Sequence, residues 1–168
     1  MRQQAKEKYV HLRQKIQDEL SHFPELSEEI KQLLKEAHER GISTGHRRIA
    51  GSILHDFYTT IEKIFEAIAK VLDGGVPSSS RWHIELLENM ASKSERGTRP
   101  NVIDDNLKEE LRAYLGFRHL FRNIYASELL WDELEKLLVH LQMHLLDDIH
   151  QAMQRFDHFL EDLERDLS

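Results

Sequence analysis

A chain of 168 residues falls in the usual size range of one domain and can bury a core without staples. The absence of cysteine excludes a disulfide framework, thiolate metal sites and a cysteine nucleophile, and fits a reducing compartment. A formal net charge of -7 argues against indiscriminate coating of nucleic acid but leaves room for a local basic cleft.

No apolar run approaches the length of a membrane span, and the opening MRQQAKEKY lacks the apolar core of a signal peptide, so a soluble, cytoplasmic protein is expected. The first periodic stretch covers about Gln4 to Leu20 and is broken by His22-Phe23-Pro24. Ile30, Leu33, Leu34 and Ala37 then fall at helical spacing, with Gly41 and Gly45 as candidate ends. From about His46 to Leu72, Phe57, Ile61, Ile64, Phe65 and Ile68 share one side. Asp73-Gly74-Gly75-Val76-Pro77 and the serines after it read as a loop, and not as a phosphate loop, since the Lys-Ser/Thr ending and a preceding strand are missing. A short helix over Trp82 to Ala91 and a second loop over Ser92 to Asn101 follow.

Asp104 or Asp105 is placed to cap the next helix, because a carboxylate accepts the free N–H groups of a helix start. That helix is expected to run to Tyr125. The last, about Trp131 to Leu163, repeats Leu134, Leu138, Leu141, Leu145, Ile149, Met153, Phe156 and Leu160 in steps of three and four. This seam is expected to pack internally, with dimerisation as the alternative. No strand-like alternation competes, so the fold class is all-α, a helical bundle with a long C-terminal helix.

The chemically unusual feature is the strip from Arg118 to Tyr125. Each helical residue turns about 100°, so Leu107, Leu111, Leu115, Arg118, Arg122 and Tyr125 are expected to line one side, with His119 and Asn123 on the adjoining edge. Phe117, Leu120, Phe121 and Ile124 predict enclosure around much of this turn. A guanidinium set there must meet an anion, because an unpaired buried charge is costly. Two partners fit: an internal carboxylate such as Asp56 or Glu62, or a phosphate, which arginine binds through its planar fork.

The stretch Phe117-Arg118-His119-Leu120-Phe121-Arg122-Asn123-Ile124-Tyr125 resembles the signature of HepT-like toxins, members of the HEPN superfamily of helical ribonucleases. Arg118 matches the motif arginine, His119 its polar neighbour and Tyr125 the motif tyrosine, while Asn123 stands where the motif has histidine. Leu54-His55-Asp56-Phe57-Tyr58, Ile61-Glu62-Lys63-Ile64-Phe65, Leu72-Asp73-Gly74-Gly75-Val76-Pro77 and Trp82-His83 resemble the upstream part of the same subgroup. The resemblance implies one HepT-like helical domain over 1–168, with an N-terminal helical extension at 1–45, the matching region at 46–135 and the remainder of the long helix at 136–168.

It further implies a type VII-like toxin–antitoxin pair: a metal-independent endoribonuclease, without cofactor, acting on RNA as a homodimer or larger homo-oligomer. A nucleotidyltransferase antitoxin would neutralise it by AMP transfer to Tyr125. Asn123 can hydrogen-bond a phosphate oxygen but cannot exchange protons near neutral pH. By position, His119 becomes the residue able to help the 2′-hydroxyl attack, with Arg118 and Arg122 neutralising the phosphorane. The alternative is a non-catalytic HEPN subunit whose strip binds a nucleotide or a nucleotidyltransferase.

Arg47 and Arg48 either extend the basic surface toward the cleft or are merely solvated. His140 and His144, followed by Asp147 and Asp148, have a spacing that could hold a divalent ion, but read as solvated positions because no second ligand cluster accompanies them. Trp82 and Trp131, near helix starts, read as core anchors rather than base-stacking platforms.

Overall fold

A computed structural model describes residues 2–167. Its helices are α1 (Arg2–Leu20), α2 (Phe23–Arg40), α3 (Thr44–Ile68), α4 (Trp82–Met90), α5 (Asp105–Phe121), α6 (Trp131–His140) and α7 (Leu146–Asp166). A π-helical turn at Ala69–Asp73 extends α3, and another at Leu141–Leu145 joins α6 to α7 in one long helical run. No strand occurs among the described residues. The architecture is the expected all-α bundle with a long C-terminal helix.

Local chemistry accounts for most of the boundaries. Pro24 sits in the first turn of α2, where its missing N–H costs nothing, and Gly41 ends that helix. Gly45 does not end a helix: it lies in the first turn of α3, where Ser43 before it and His46 after it form a reciprocal cap. Asp104 accepts the Leu107 N–H at 2.7 Å and starts α5. Gly74 closes the π turn in the left-handed conformation, φ 84°, a geometry that side-chain-bearing residues rarely adopt.

The helix α3 lies at the centre, packed against α1, α2, α4, α5 and α6. Its buried face carries Leu54, Phe57, Ile61, Ile64, Phe65 and Ile68. All eight seam residues from Leu134 to Leu160 are buried within the chain, so the seam is core. The N-terminal α1 is fastened to α7 by Arg13, which donates to Asp157 at 2.7 and 2.8 Å and to Glu161 at 2.6 Å. Trp131 is buried, and the half-buried Trp82 packs against the core.

The two loops flanking α4 are joined by an ion pair that periodicity does not reveal. Arg99, 3 % exposed, donates to both carboxylate oxygens of Asp73 and to the carbonyls of Ser92, Pro100 and Asn89. Removing the guanidinium strands a carboxylate and three carbonyls. Arg99→Met is therefore expected to lower unfolding free energy by about 3–5 kcal/mol, measurable by urea denaturation. An unchanged midpoint would show that the loops hold without it.

Candidate functional site

The helices α3, α4 and α5 meet around a buried charge. On α5, Arg118 continues the stripe of Leu107, Leu111 and Leu115 and is 2 % exposed. Its partner is Glu62 of α3, one of the two internal carboxylates expected from the sequence. Arg118 Nη1 donates to Glu62 Oε1 at 2.8 Å and Nη2 to Oε2 at 3.1 Å, a bidentate pair. Asp56, the other candidate, is exposed and meets His55. The Arg118 guanidinium also lies 5.3 Å from the Tyr58 ring centroid, on the α3 turn before Glu62. Burial, followed by the Glu62 carboxylate, pushes the Tyr58 hydroxyl up, with Arg118 opposing, so Tyr58 stays a neutral phenol.

The third member comes from α4. His83 Nδ1 lies 2.5 Å from Glu62 Oε2 and 2.9 Å from Arg118 Nη2. Its ring packs on Trp82, with centroids 3.6 Å apart, and meets His119 edge-on at 5.6 Å. His119 is on the exposed side of α5. Partial desolvation lowers its proton affinity, as do His83, Arg118 and Arg122, while Glu62 pulls the other way.

Beyond Arg118 the structure departs from the expected strip. The helix α5 ends at Phe121 and does not reach Tyr125. Asn123 is the physical reason: its side-chain Nδ2 donates to the His119 carbonyl at 2.8 Å, and its backbone N–H to Leu120, satisfying carbonyls at the helix end. Tyr125 follows in an extended conformation, and a 3₁₀ turn at Ala126–Glu128 comes next. Arg122 and Tyr125 therefore leave the Arg118 stripe and face outward, with Tyr125 79 % exposed. The expected enclosure also fails, since Leu120 is exposed and Phe121 and Ile124 are only half-buried.

Phe121 fixes where this end of α5 meets α3. Its ring sits so close to Gly51 that a Cβ there would lie 2.4 Å from it. It stacks on Phe117 and touches His55. Arg47 and Arg48 lie one helical turn before Gly51, at the Arg122 end of the molecule. Arg48 is exposed; Arg47 is half-buried and its Nε has no partner. The Nε of Arg118 is likewise buried without a partner.

The candidate metal ligands are not gathered. His140 Nε2 meets Glu110 at 3.0 Å and its ring stacks on Tyr114, while His144 is exposed. Among the described residues no group of three or more His, Asp or Glu could hold a metal ion. None of the described helices is long and apolar enough to cross a membrane.

The model of the family described as HepT-like protein matches residues 49–160. The chain belongs to the HepT-like family. Comparison with curated proteins and with solved structures returns no match. In this HepT-like chain the matched span contains Glu62, His83, Arg118, His119, Arg122, Asn123 and Tyr125, whereas Arg47 and Arg48 precede it. The bundle thus has the HEPN-like fold of its family, a family known in general for toxin–antitoxin pairing.

Sequence reasoning named Glu62 as a partner for Arg118 but gave His83 no role. The available signal was weak: a histidine beside Trp82 at the start of a short helix, far from the arginine strip.

Proposed function

We propose that this protein is a HepT-type toxin, a metal-independent endoribonuclease that cuts RNA by attack of a 2′-hydroxyl on the adjacent phosphate. The observation that carries the reading is the pairing of His119 with its cationic surroundings. An exposed imidazole whose proton affinity is lowered is neutral near pH 7 and ready to accept the 2′-hydroxyl proton. Arg122 supplies an exposed guanidinium three residues further on. It can meet the phosphate through its planar fork and offset the negative charge that grows in the phosphorane.

Arg118 acts from below: 2 % exposed and with its charge met by Glu62, it holds the floor of the site. Asn123, tied to the His119 carbonyl, shapes the backbone between the two surface groups. Arg47 and Arg48 extend the basic edge along which the RNA backbone runs, which gives the acidic chain a local place for a polyanion. The toxin works as a homodimer in the cytoplasm, with the strips of both subunits lining one cleft over 1–168 as a single domain.

Regulation centres on Tyr125. Its exposure and extended backbone suit a hydroxyl that an enzyme must reach, and the partner is a nucleotidyltransferase antitoxin that transfers AMP to it. AMP there adds a phosphate and a base beside Arg122, blocking RNA from the same surface.

A second reading is favoured by one specific observation. Arg118 already has a carboxylate partner, and Asn123 replaces a proton-transferring residue. A non-catalytic subunit that binds a nucleotide or nucleotidyltransferase through the surface strip would look like this.

The experiment that separates them uses purified protein and total RNA with EDTA in excess. Endonucleolytic cuts that survive EDTA are expected. Intact mass after co-expression with a nucleotidyltransferase antitoxin is expected to rise by one AMP, mapped to Tyr125, and the modified protein is expected to be inactive. Intact RNA after incubation with unmodified protein would leave only the binding-subunit reading.

A further inference from the structure

We infer that His83 is the second proton carrier of the site, donating the proton to the 5′-oxygen that leaves when RNA is cut; this rests on the ribonuclease reading above. Transesterification by a 2′-hydroxyl needs two proton transfers. The 2′-oxygen forms a bond to phosphorus and gives up its proton, and the bond from phosphorus to the 5′-oxygen breaks and that oxygen takes one. One imidazole cannot be both empty and loaded in the same step, and His119 is the group whose surroundings favour the empty form.

Glu62 prepares His83 for the other role. A carboxylate oxygen 2.5 Å from Nδ1 requires a proton between them, since two lone pairs would repel at that separation. Glu62 itself cannot swing away, because both its oxygens are held by Arg118. With Nδ1 carrying this proton, the exchanging atom is Nε2. The Arg118 Nη2 group reaches both partners, 2.9 Å from Nδ1 and 3.1 Å from Glu62 Oε2.

Among the described residues Nε2 has no hydrogen-bond partner. It is not enclosed either: the buried side-chain atoms without a partner among the described residues are Arg47 Nε and Arg118 Nε. Trp82 holds the ring plane from the other side. A carboxylate–imidazole dyad with one free nitrogen at the surface, edge-on to a second imidazole at 5.6 Å, is thus assembled from three helices. When His83 is doubly protonated, Glu62 compensates the charge of its ring. For His119 the balance runs the other way: desolvation, His83, Arg118 and Arg122 outweigh the more weakly acting Glu62.

In the step itself, which starts from neutral His119 and from His83 protonated at both nitrogens, the 2′-hydroxyl proton passes to His119 and the His83 Nε2 proton passes to the leaving 5′-oxygen, leaving His83 neutral with its proton on Nδ1. The products are a 2′,3′-cyclic phosphate and a 5′-hydroxyl, and exchange with water restores both rings. The spatial neighbour from α4 thereby supplies what Asn123 cannot.

The test uses an RNA oligonucleotide containing a cleavage position mapped with wild-type protein, and the same oligonucleotide with a bridging 5′-sulfur there. A thiolate leaves without being protonated, so loss of the acid is rescued by the sulfur and loss of the base is not. His83→Asn can place an amide N–H where Nδ1 was, keeping the bond to Glu62. It is expected to cut ordinary RNA about 10²–10⁴-fold more slowly and the sulfur-containing RNA within a few-fold of wild type. His119→Gln is expected to lose both.

Equal losses of His83→Asn on both substrates would make His83 a structural residue only, and no loss on ordinary RNA would remove it from the reaction; either result overturns the inference while leaving the ribonuclease reading in place. Should the asparagine variant fail to fold by circular dichroism, His83→Gln is read in the same way. A wild-type protein that cuts neither RNA removes the ribonuclease reading and this inference with it.

Discussion

Arg118→Ala is expected to cost about 3–5 kcal/mol of unfolding free energy and to abolish RNA cleavage. The size follows from what remains after truncation. Glu62 is 7 % exposed, so its carboxylate would stay buried with only His83 for a partner. A domain of this size has a total stability of roughly 5–15 kcal/mol, and the variant would therefore show a much lower urea midpoint and poor recovery. A midpoint within about 0.5 kcal/mol of wild type, the range of ordinary surface changes, would contradict the buried pair.

Lost activity in Arg118→Ala by itself does not separate chemistry from folding. The double variant Arg118→Met with Glu62→Leu does. Exchanging a buried ion pair for apolar groups of similar volume is often neutral or stabilising, so most of the stability is expected to return. Cleavage is not, because His83 loses its orienting carboxylate. A double variant that is both stable and fully active would reduce the Arg118–Glu62 pair to a structural element.

The second large effect concerns His119. His119→Gln is expected to slow cleavage about 10²–10⁴-fold with little change in unfolding, since the side chain is exposed. In the wild type, kcat/KM is expected to rise with pH through a midpoint below the ordinary histidine value of about 6.5. The sign follows from the role: the base works unprotonated, and desolvation with His83, Arg118 and Arg122 makes its protonated form harder to hold. Removing one of those cations in Arg122→Ala is expected to move the midpoint upward. Salt is expected to move it the same way, because these charges are near the surface and screened. A midpoint at or above the ordinary value, or a His119→Gln protein as fast as wild type, would take the base role away from His119.

Much of the architecture was legible before any coordinates. The step pattern from Leu134 to Leu160 marked a buried seam, Asp104 marked a helix start, and the arginine strip together with its upstream block marked the family. The end of the strip was misjudged. Ile124 and Tyr125 continue the apolar spacing, but Asn123 turns its amide onto the His119 carbonyl and the helix stops. Spacing does not show whether a short polar side chain faces solvent or bonds its own backbone.

Composition and periodicity thus determined by themselves that this chain is all-α, which faces its helices bury, and that a cation sits on one of those faces needing an anion. Only the tertiary structure decided which anion it meets and what else gathers there. Glu62 lies 56 residues before Arg118, His83 lies 35 before it, and the Asp73–Arg99 pair spans 26. Helical periodicity reports neighbours three and four apart along one helix. The contacts that make this site are between helices, and they exist because α3, α4 and α5 bury their apolar faces against one another and bring those distant side chains to one place.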